Sequence, residues 1–365
     1  MKYLNIFLMI ILNLTFSTMI NVPADQPTIQ AGIDFAVDGD TVLVASGTYV
    51  ENINFNGKNI VVTSVEGAEN TIIDGSEPTG QEGASVVTFI NGEDSSSEIS
   101  GFTLLNGYGN LIPFSGYLGP AGSGIFIANS NPLVSNIVVL VTEDISFVRG
   151  GGVYCNNSNS MFKNISISNI DNVFEGAGFF CESSSITIVN STIVNNIAIE
   201  IGGGICMDIN SNLKLINSII WGNSENEFSI FAEIFYTNIQ NGWDGEGNID
   251  LDPLFTDPEN GDYTLQPNSP CIDAGTAFFV FEGDTLVNMS EDEYYGTAPD
   301  MGAFEFGFEE GLLGDVNNVG AINVLDIILV VNIILEQHEP SDYEQLASDV
   351  KEDVAINVLD VNLIV

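Results

Sequence analysis

A repeated glycine unit dominates the middle of the sequence. Short glycine-rich steps followed by apolar residues occur four times, in residues 122–127, 150–155, 176–181 and 202–206. The last residues of these units are 127, 155, 181 and 206, so successive repeats are 28, 26 and 25 residues long. A repeat of this length cannot bury its apolar face alone, and stacked copies must build one continuous core. The repeat therefore predicts a solenoid.

Alternating segments between the glycine units indicate strands. Apolar, mostly β-branched residues recur at every second position in residues 165–168, 186–189 and 213–216. The turns between them are rich in asparagine, which tolerates left-handed backbone and can hydrogen-bond to a neighbouring coil. Glycine fits sharp corners, where a Cβ atom would clash. The pattern predicts an all-β parallel β-solenoid, and the Leu-x-x-Leu-x-Leu pattern of leucine-rich repeats is absent.

Charge and composition exclude several classes of function. The chain has 50 Asp and Glu against 6 Lys and Arg, a formal net charge of −44, yet 45% of its residues are hydrophobic. The apolar content argues against a disordered acidic tail. Six cations cannot build the basic face that a nucleic acid or an anionic membrane surface requires. We therefore expect a folded acidic protein with no nucleic-acid partner.

The N-terminus begins as an export signal does. Lys2 precedes an apolar run over residues 4–12 that is too short to span a bilayer, and polar residues follow it. We predict a signal peptide over residues 1–20 and a secreted or cell-surface protein. The later apolar run over residues 324–335 contains Asp326, so no membrane insertion is expected after signal cleavage.

The residues after the signal peptide predict a cap. Ile29, Ile33 and Ala36 share one face of a helix, and residues 38–40 then turn into the strand 41–44. An amphipathic helix at this place would cover the open apolar end of a solenoid.

Both ends of the solenoid carry a family resemblance. The opening segments are residues 30–33 and 38–51, and the closing segments are 252–255, 261–275 and 300–305. They resemble secreted right-handed parallel β-helix proteins with the pectin-lyase-like fold. The resemblance implies a right-handed parallel β-helix over residues 21–308. It does not specify an activity, because many functions share this scaffold.

A second repeat follows with a different period. Residues 315–326 recur as residues 349–360, and each polar loop leads into an apolar helix, over residues 327–335 in the first copy. Oxygen ligands at loop positions 1, 3, 5, 9 and 12 suit calcium. The candidate ligands are Asp315, Asn317, Asn323, Asp326, Asp349, Asp353, Asn357 and Asp360. The pair resembles a type I dockerin, which implies a linker over residues 309–313, a dockerin-like module over 314–365 and a cohesin-like partner.

Both loops depart from the dockerin pattern. Val319 replaces the ligand at position 5 of the first loop, while Lys351 and Val354 replace a ligand and the glycine of the second. A lysine ammonium opposes cation binding, so we expect weak calcium binding or loops that are vestigial connectors. The chain stops five residues after Asp360, which predicts either a truncated module or a sequence that is a fragment. The apolar pairs 324–325 and 358–359 just before position 12 indicate a docking surface or core packing, and we favour core packing.

The cysteines are predicted to be structural. Cys155, Cys181 and Cys206 end successive glycine units and are interpreted as one inward stack, while Cys271 is predicted to be buried alone. Residues paired in adjacent strands lie about 4.8 Å apart with parallel side chains, a poor geometry for a disulfide.

Catalytic residues are not evident. Relatives of the β-helix family include pectate lyases, polygalacturonases and pectin methylesterases, which the resemblance implies use a basic residue or clustered carboxylates. Arg149 is the single arginine and is interpreted as a salt-bridged surface residue, and the single histidine, His338, lies between the two dockerin-like repeats. The catalytic residues therefore remain unknown at this point.

The sequence favours an exported surface protein that contacts carbohydrate or adheres, is non-catalytic and is attached through its dockerin-like module. The alternative is a polysaccharide lyase or glycoside hydrolase acting in polysaccharide breakdown. An exposed aromatic row would favour saccharide binding, and a face of Asn, Ser and Thr would favour adhesion.

Overall fold

The computed structural model describes most of the β-helix and part of the C-terminal module. The described residues are 17–78, 84–140, 147–224, 232–291 and 293–307, with 316, 324–335, 337–338, 340, 347–348, 350, 356–357 and 361. They fall into two compact units, Met1–Asn288 with Ala298–Phe304, and Met289–Thr297 with Glu305–Val365. The predicted linker over 309–313 lies outside the described residues.

Short strands make up nearly all of the regular secondary structure of the first unit. The first fifteen strands are β1 (Met19–Val22), β2 (Thr41–Val44), β3 (Gly47–Val50), β4 (Ile53–Asn54), β5 (Val61–Ser64), β6 (Thr71–Asp74), β7 (Val87–Phe89), β8 (Glu98–Leu105), β9 (Asn110–Phe114), β10 (Tyr117–Ala121), β11 (Ile125–Ala128), β12 (Leu133–Leu140), β13 (Phe147–Arg149), β14 (Val153–Asn156) and β15 (Met161–Ser168). The others are β16 (Val173–Glu175), β17 (Phe179–Glu182), β18 (Ser185–Val189), β19 (Thr192–Val194), β20 (Ala198–Ile201), β21 (Ile205–Met207), β22 (Asn212–Ile216), β23 (Ile219–Trp221), β24 (Glu233–Phe235), β25 (Asn238–Ile239), β26 (Phe255–Asp257), β27 (Asp262–Leu265), β28 (Phe278–Phe281) and β29 (Asp284–Asn288). The helices are α1 (Ile29–Phe35), α2 (Gly67–Asn70) and α3 (Val324–Ile334).

Strands β1 to β25 stack coil upon coil into three sheets, while β26–β27 and β28–β29 form two separate antiparallel pairs. Sheet A contains fourteen strands, nine along the path β1-β2-β5-β8-β12-β15-β18-β22-β24 and five beside it. Sheet B has the order β21-β17-β14-β11-β7-β4, and sheet C has the order β20-β16-β13-β10-β9. The described ladders of sheets A and B are parallel, while β9 and β10 form an antiparallel hairpin at one edge of sheet C. The predicted right-handed parallel β-helix with a small helical module is confirmed.

The register of sheet B corrects one prediction about the cysteines. Cys155 pairs with Cys181, and both point into the buried core. Cys181 then pairs with Met207, whereas Cys206 pairs with Phe180 and lies in a separate apolar cluster on the outer side. Paired residues of these last two coils are therefore 26 residues apart, as are Gly176 and Gly202. The predicted stack of three cysteines is wrong at Cys206. The cysteines of the described residues are all free, and Cys271 is buried as predicted.

Asparagines form the bends of sheet A. Asn136, Asn164, Asn190 and Asn217 have left-handed φ angles of 52°, 51°, 48° and 51° in successive coils. The side-chain amide of Asn164 donates to Oδ1 of Asn136 at 3.0 Å. Asparagine adopts this conformation at less cost than most residues, and the Asn164 amide links its bend to that of Asn136, so the predicted role is confirmed for this pair of coils.

The N-terminal helix caps the stack as predicted. Ile29 and Ile33 of α1 and the following Ala36 are buried against the first strands. The backbone amides of Ile29 and Gln30 donate to the two carboxylate oxygens of Glu51, at 2.9 and 2.8 Å. At the other end of α1, the Lys58 ammonium donates to three carbonyl oxygens at 2.7 to 2.8 Å, those of Ile33, Asp34 and Ala36. Opposite charges thus meet both ends of the helix dipole.

The first described strand, β1, overlaps the predicted end of the signal peptide at residue 20. Met19 of β1 pairs with Thr41 of β2, and Ile20 is buried. These two residues belong to the β-helix ladder, so the ladder begins before residue 21. The signal peptide itself stays a prediction, because residues 1–16 lie outside the described part of the chain.

The closing segment, residues 252–288, is fastened to the side of the coils. The Tyr263 hydroxyl donates to Oδ1 of Asn169 at 2.9 Å and accepts from Nδ2 of Asn195 at 3.1 Å. Asn169 and Asn195 are left-handed bends of consecutive coils. One side chain of the closing segment therefore bridges two coils.

Candidate functional site

Helix α3 of the C-terminal unit has one buried and one exposed apolar face. Val330 is fully buried, in a cluster with Val316 and Ala347. Val324 and Leu325 are 65% and 58% exposed, although they are among the most apolar side chains of the helix. The favoured prediction of core packing for this pair is therefore wrong.

The exposed apolar side chains of α3 form one stripe. Ile328, Val331 and Leu335 are also exposed, at spacings of three or four residues from each other and from the Val324–Leu325 pair. Residues at this spacing lie on one side of a helix. We call these five residues the apolar stripe, which is a surface suited to a partner rather than to water.

Two of the eight predicted calcium ligands lie in the described residues. Asp326, at position 12 of the first loop, is fully buried in the first turn of α3, and Asn357 of the second loop is partly buried. A buried carboxylate oxygen at that position fits a hard cation such as calcium. The other six ligands fall outside the described part of the chain: Asp315, Asn317, Asn323, Asp349, Asp353 and Asp360. Among described residues, no three His, Cys, Asp or Glu side chains converge as a metal site would require.

The charged centre of the β-helix is built around Arg149. Nε of Arg149 donates to Glu175 at 2.7 Å, and one terminal guanidinium nitrogen lies 3.6 Å from Glu182. The guanidinium carbon also lies 4.4 Å from the ring centre of Phe180. Glu182 accepts a further hydrogen bond from the Tyr154 hydroxyl at 3.0 Å. We call these five residues the arginine cluster; they come from three consecutive coils.

The electrostatics of the arginine cluster favour fixed protonation states. The Arg149 guanidinium contacts two carboxylates, Glu175 and Glu182, and so lies in an ion pair. Burial, reinforced by the neighbouring Glu182 carboxylate, raises the pKa of Tyr154 well above its usual 10. Tyr154 therefore keeps its proton at neutral pH. The contacts of Arg149 with Glu175 and Glu182 confirm its interpretation as a salt-bridged residue.

An aromatic ladder shares Tyr154 and Phe180 with the arginine cluster. Phe126, Tyr154 and Phe180 occupy one register position of sheet B, and their rings stack at centroid distances of 5.1 and 6.1 Å. All three are buried, with Ile112 and Val148 of sheet C among their neighbours. The ladder therefore stabilises the contact between two sheets and is not an exposed aromatic row. Its signal in the sequence is an aromatic residue in the same place of three successive glycine units.

Two other predicted candidates lie apart from this cluster. His338 belongs to the C-terminal unit rather than to the β-helix. Cys271 belongs to the closing segment, where Asn238 Nδ2 lies 3.1 Å from its sulfur and burial raises the pKa of its thiol to about 11. A thiol with this pKa stays protonated and unreactive at neutral pH.

Comparison with known proteins supports the reading of the C-terminal unit. Residues 313–365 match the family described as the Dockerin type I domain, which confirms the resemblance. No curated protein matches the sequence. No helix of the described residues is long and apolar enough to cross a membrane.

Two solved structures overlap with the chain. The match to the crystal structure of pectate lyase Pel9A covers 80% of this chain and 97% of the pectate lyase chain, at 14% identity and a TM-score of 0.36. The match to the structure of rice weevil pectin methyl esterase covers 60% of this chain and 76% of the esterase chain, at 12% identity and a TM-score of 0.30. The strand register, rather than these overlaps, establishes the parallel β-helix.

Proposed function

We propose that this chain is an exported, non-catalytic β-helix protein that contacts carbohydrate or adheres to a surface, and that its C-terminal module attaches it to a cohesin partner. The apolar stripe of α3 carries the attachment part of this proposal. Five exposed apolar side chains on one helix face are costly in water, and a partner that buries them recovers about 25 cal/mol per Å². The match of residues 313–365 to the dockerin family names the class of partner.

The absence of catalysis is supported by the arginine cluster. Arg149 is held by Glu175 and Glu182, and Tyr154 is held protonated by burial and by Glu182. The pKa of Tyr154 is raised away from neutrality, whereas a general base needs a pKa near the working pH. The Arg149 guanidinium is engaged by its two carboxylate contacts. Weak calcium binding through Asp326 and the remaining loop ligands is part of the same proposal and concerns the module alone.

Binding to type I cohesin domains tests the attachment. The full chain would be passed over immobilised cohesins, first with calcium and then with a chelator, and its dissociation constant measured by surface plasmon resonance. We expect Leu325→Asp to weaken binding at least tenfold, because it puts a charge into the buried part of the interface. Val65→Asp, at an equally exposed valine of the β-helix, is the matched control and should bind normally. Equal binding by the two variants would contradict the assignment of the stripe.

A depolymerisation screen tests the absence of catalysis. The full chain would be incubated with polygalacturonate, alginate and neutral glycans while ultraviolet absorbance of unsaturated uronides and reducing ends are followed. We expect no product. Calcium-dependent unsaturated product would replace the proposal with the alternative of a polysaccharide lyase, and reducing ends alone would point to a glycoside hydrolase.

A further inference from the structure

A groove lies on the outer face of sheet A. It has a volume of about 500 Å³, and its lining includes Asn210, Asn212, Lys214, Glu233, Phe281 and Glu282. Sites for small ligands usually have volumes of about 300 to 1,000 Å³. The groove has this size, and its lining is mainly polar, with Ile209 and Phe281 as the apolar side chains.

Strand register and a tight turn build the groove. Lys214 of β22 and Glu233 of β24 are paired positions in neighbouring strands, so both side chains leave the sheet on the same face. The β28–β29 hairpin turns at Glu282 and Gly283, whose φ angles of 51° and 94° suit a two-residue hairpin loop. This turn places Phe281, from a distant part of the sequence, at the wall of the groove.

Phe281 is held in place by neighbours on two sides. Its ring centre lies 5.2 Å from that of Phe235, and the Lys214 ammonium lies 5.8 Å from it. Lys214 also lies 3.7 Å from a carboxylate oxygen of Asp284 at the start of β29. The groove therefore offers a positioned aromatic ring beside groups that both donate and accept hydrogen bonds.

The charges around the groove select against anionic ligands. Lys214 is the cation of the lining, and Glu233, Glu282 and the adjacent Asp284 are carboxylates. The local balance is negative, as it is for the whole chain at −44, so a uronate chain would be repelled. A neutral polyhydroxyl ligand avoids this repulsion, because its hydroxyls accept from Lys214 and the asparagine amides and donate to the carboxylates.

We propose that this groove binds a neutral saccharide, with the apolar face of one sugar ring packed on Phe281 and its hydroxyls on Lys214, Glu233 and Asn212. This site names the ligand class for the carbohydrate contact in the proposed function and rests on that part of it.

Affinity electrophoresis of the full chain tests the site. The gels would contain hydroxyethyl cellulose, arabinoxylan or galactomannan as neutral probes, and polygalacturonate as the anionic probe. We expect retardation by at least one neutral polysaccharide and none by polygalacturonate. Phe281→Ala should weaken the neutral interaction at least tenfold. Phe278→Ala, which removes an exposed ring from the same strand outside the groove lining, should leave it unchanged.

A second variant keeps the test decisive. Lys214→Met retains the side-chain stem and removes the donor, so it should weaken binding several-fold even if Phe281→Ala unfolds the hairpin; circular dichroism melting would show which variants are folded. Retardation that neither variant reduces, or retardation by polygalacturonate alone, would overturn the groove and leave the proposed function standing. An unmodified chain that no probe retards, neutral or anionic, would remove the groove and the carbohydrate contact together, while the cohesin experiment would test the attachment separately.

Discussion

The β-helix and helix α3 differ in how far their apolar side chains are buried. In the β-helix, Phe162 and Phe179 of adjacent coils are fully buried and pack edge to face at 5.1 Å. In α3, Leu325 is 58% exposed although the helix is equally apolar. A stacked repeat supplies the partner for every inward face, because each coil is covered by the next. In α3, Val330 is buried while the apolar stripe is exposed, so burial differs between the two faces of one helix.

The largest expected effect comes from the β-helix core. Phe162→Ala removes a fully buried ring and should lower the free energy of unfolding by about 3–5 kcal/mol, measured by urea denaturation of the full chain. Phe278→Ala removes an exposed ring and should change it by less than about 0.5 kcal/mol. Similar losses for the two variants would mean that burial in the coils does not set the stability of the β-helix.

The N-terminal cap should show the next largest effect. Lys58→Met removes an ammonium that donates to three carbonyl oxygens at the end of α1. Hydrogen bonds to charged groups and the helix dipole each contribute a few kcal/mol at most, so we expect a loss of about 2 kcal/mol. Lys163→Met, at an exposed lysine of sheet A, is the matched control and should change little. A loss confined to Lys163→Met would refute the capping role.

Asp40 gives the cap a predictable pH dependence. The backbone amide of Val37, and then that of Thr18, hold the pKa of Asp40 below its usual 3.8. Its contribution is therefore present above about pH 4 and is lost as the pH falls through the lowered folded-state pKa. Asp40→Asn should cost about 1–2 kcal/mol at pH 7, and urea denaturation at pH 3 should show a smaller difference. A difference that grows toward low pH would contradict this account.

The smallest effect on stability is expected in the apolar stripe. Leu325→Thr should change the free energy of unfolding of the chain by less than about 0.5 kcal/mol, because Leu325 is 58% exposed in the folded chain. Differential scanning calorimetry would measure it, with Val330→Thr as the buried counterpart on the same helix. Val330→Thr should lower the melting temperature of the module, and the opposite order would reverse the assignment of the two helix faces.

Most of the β-helix could be predicted because its signals repeat. Asparagine bends, glycine corners and the faces of α1 follow from local conformational preference and from period-two alternation, which the fold preserves. The error at Cys206 arose because the three consecutive glycines Gly202, Gly203 and Gly204 leave the register of the following strand undetermined in the sequence. Only the backbone pairing of Cys181 with Met207 fixes the count.

The candidate sites were less predictable because they depend on contacts between distant residues. Nothing in the local sequence places Phe281 beside Lys214, or Glu175 and Glu182 beside Arg149 in separate coils. Val324 and Leu325 illustrate a further difficulty. An apolar pair has the same sequence signal whether it packs into the chain's own core or binds another protein, so the sequence does not distinguish the two.

The Tyr263 bridge between Asn169 and Asn195 has a mechanical consequence. If the chain is held by its C-terminal module while its other end is pulled, tension enters the β-helix through the closing segment. Coils that are joined only by their own ladders would then peel away one after another, each at a low force. Because the Tyr263 hydroxyl bonds to two consecutive coils at 2.9 and 3.1 Å, tension that reaches Tyr263 must break both hydrogen bonds to free it. The bridge therefore makes these two coils share that load.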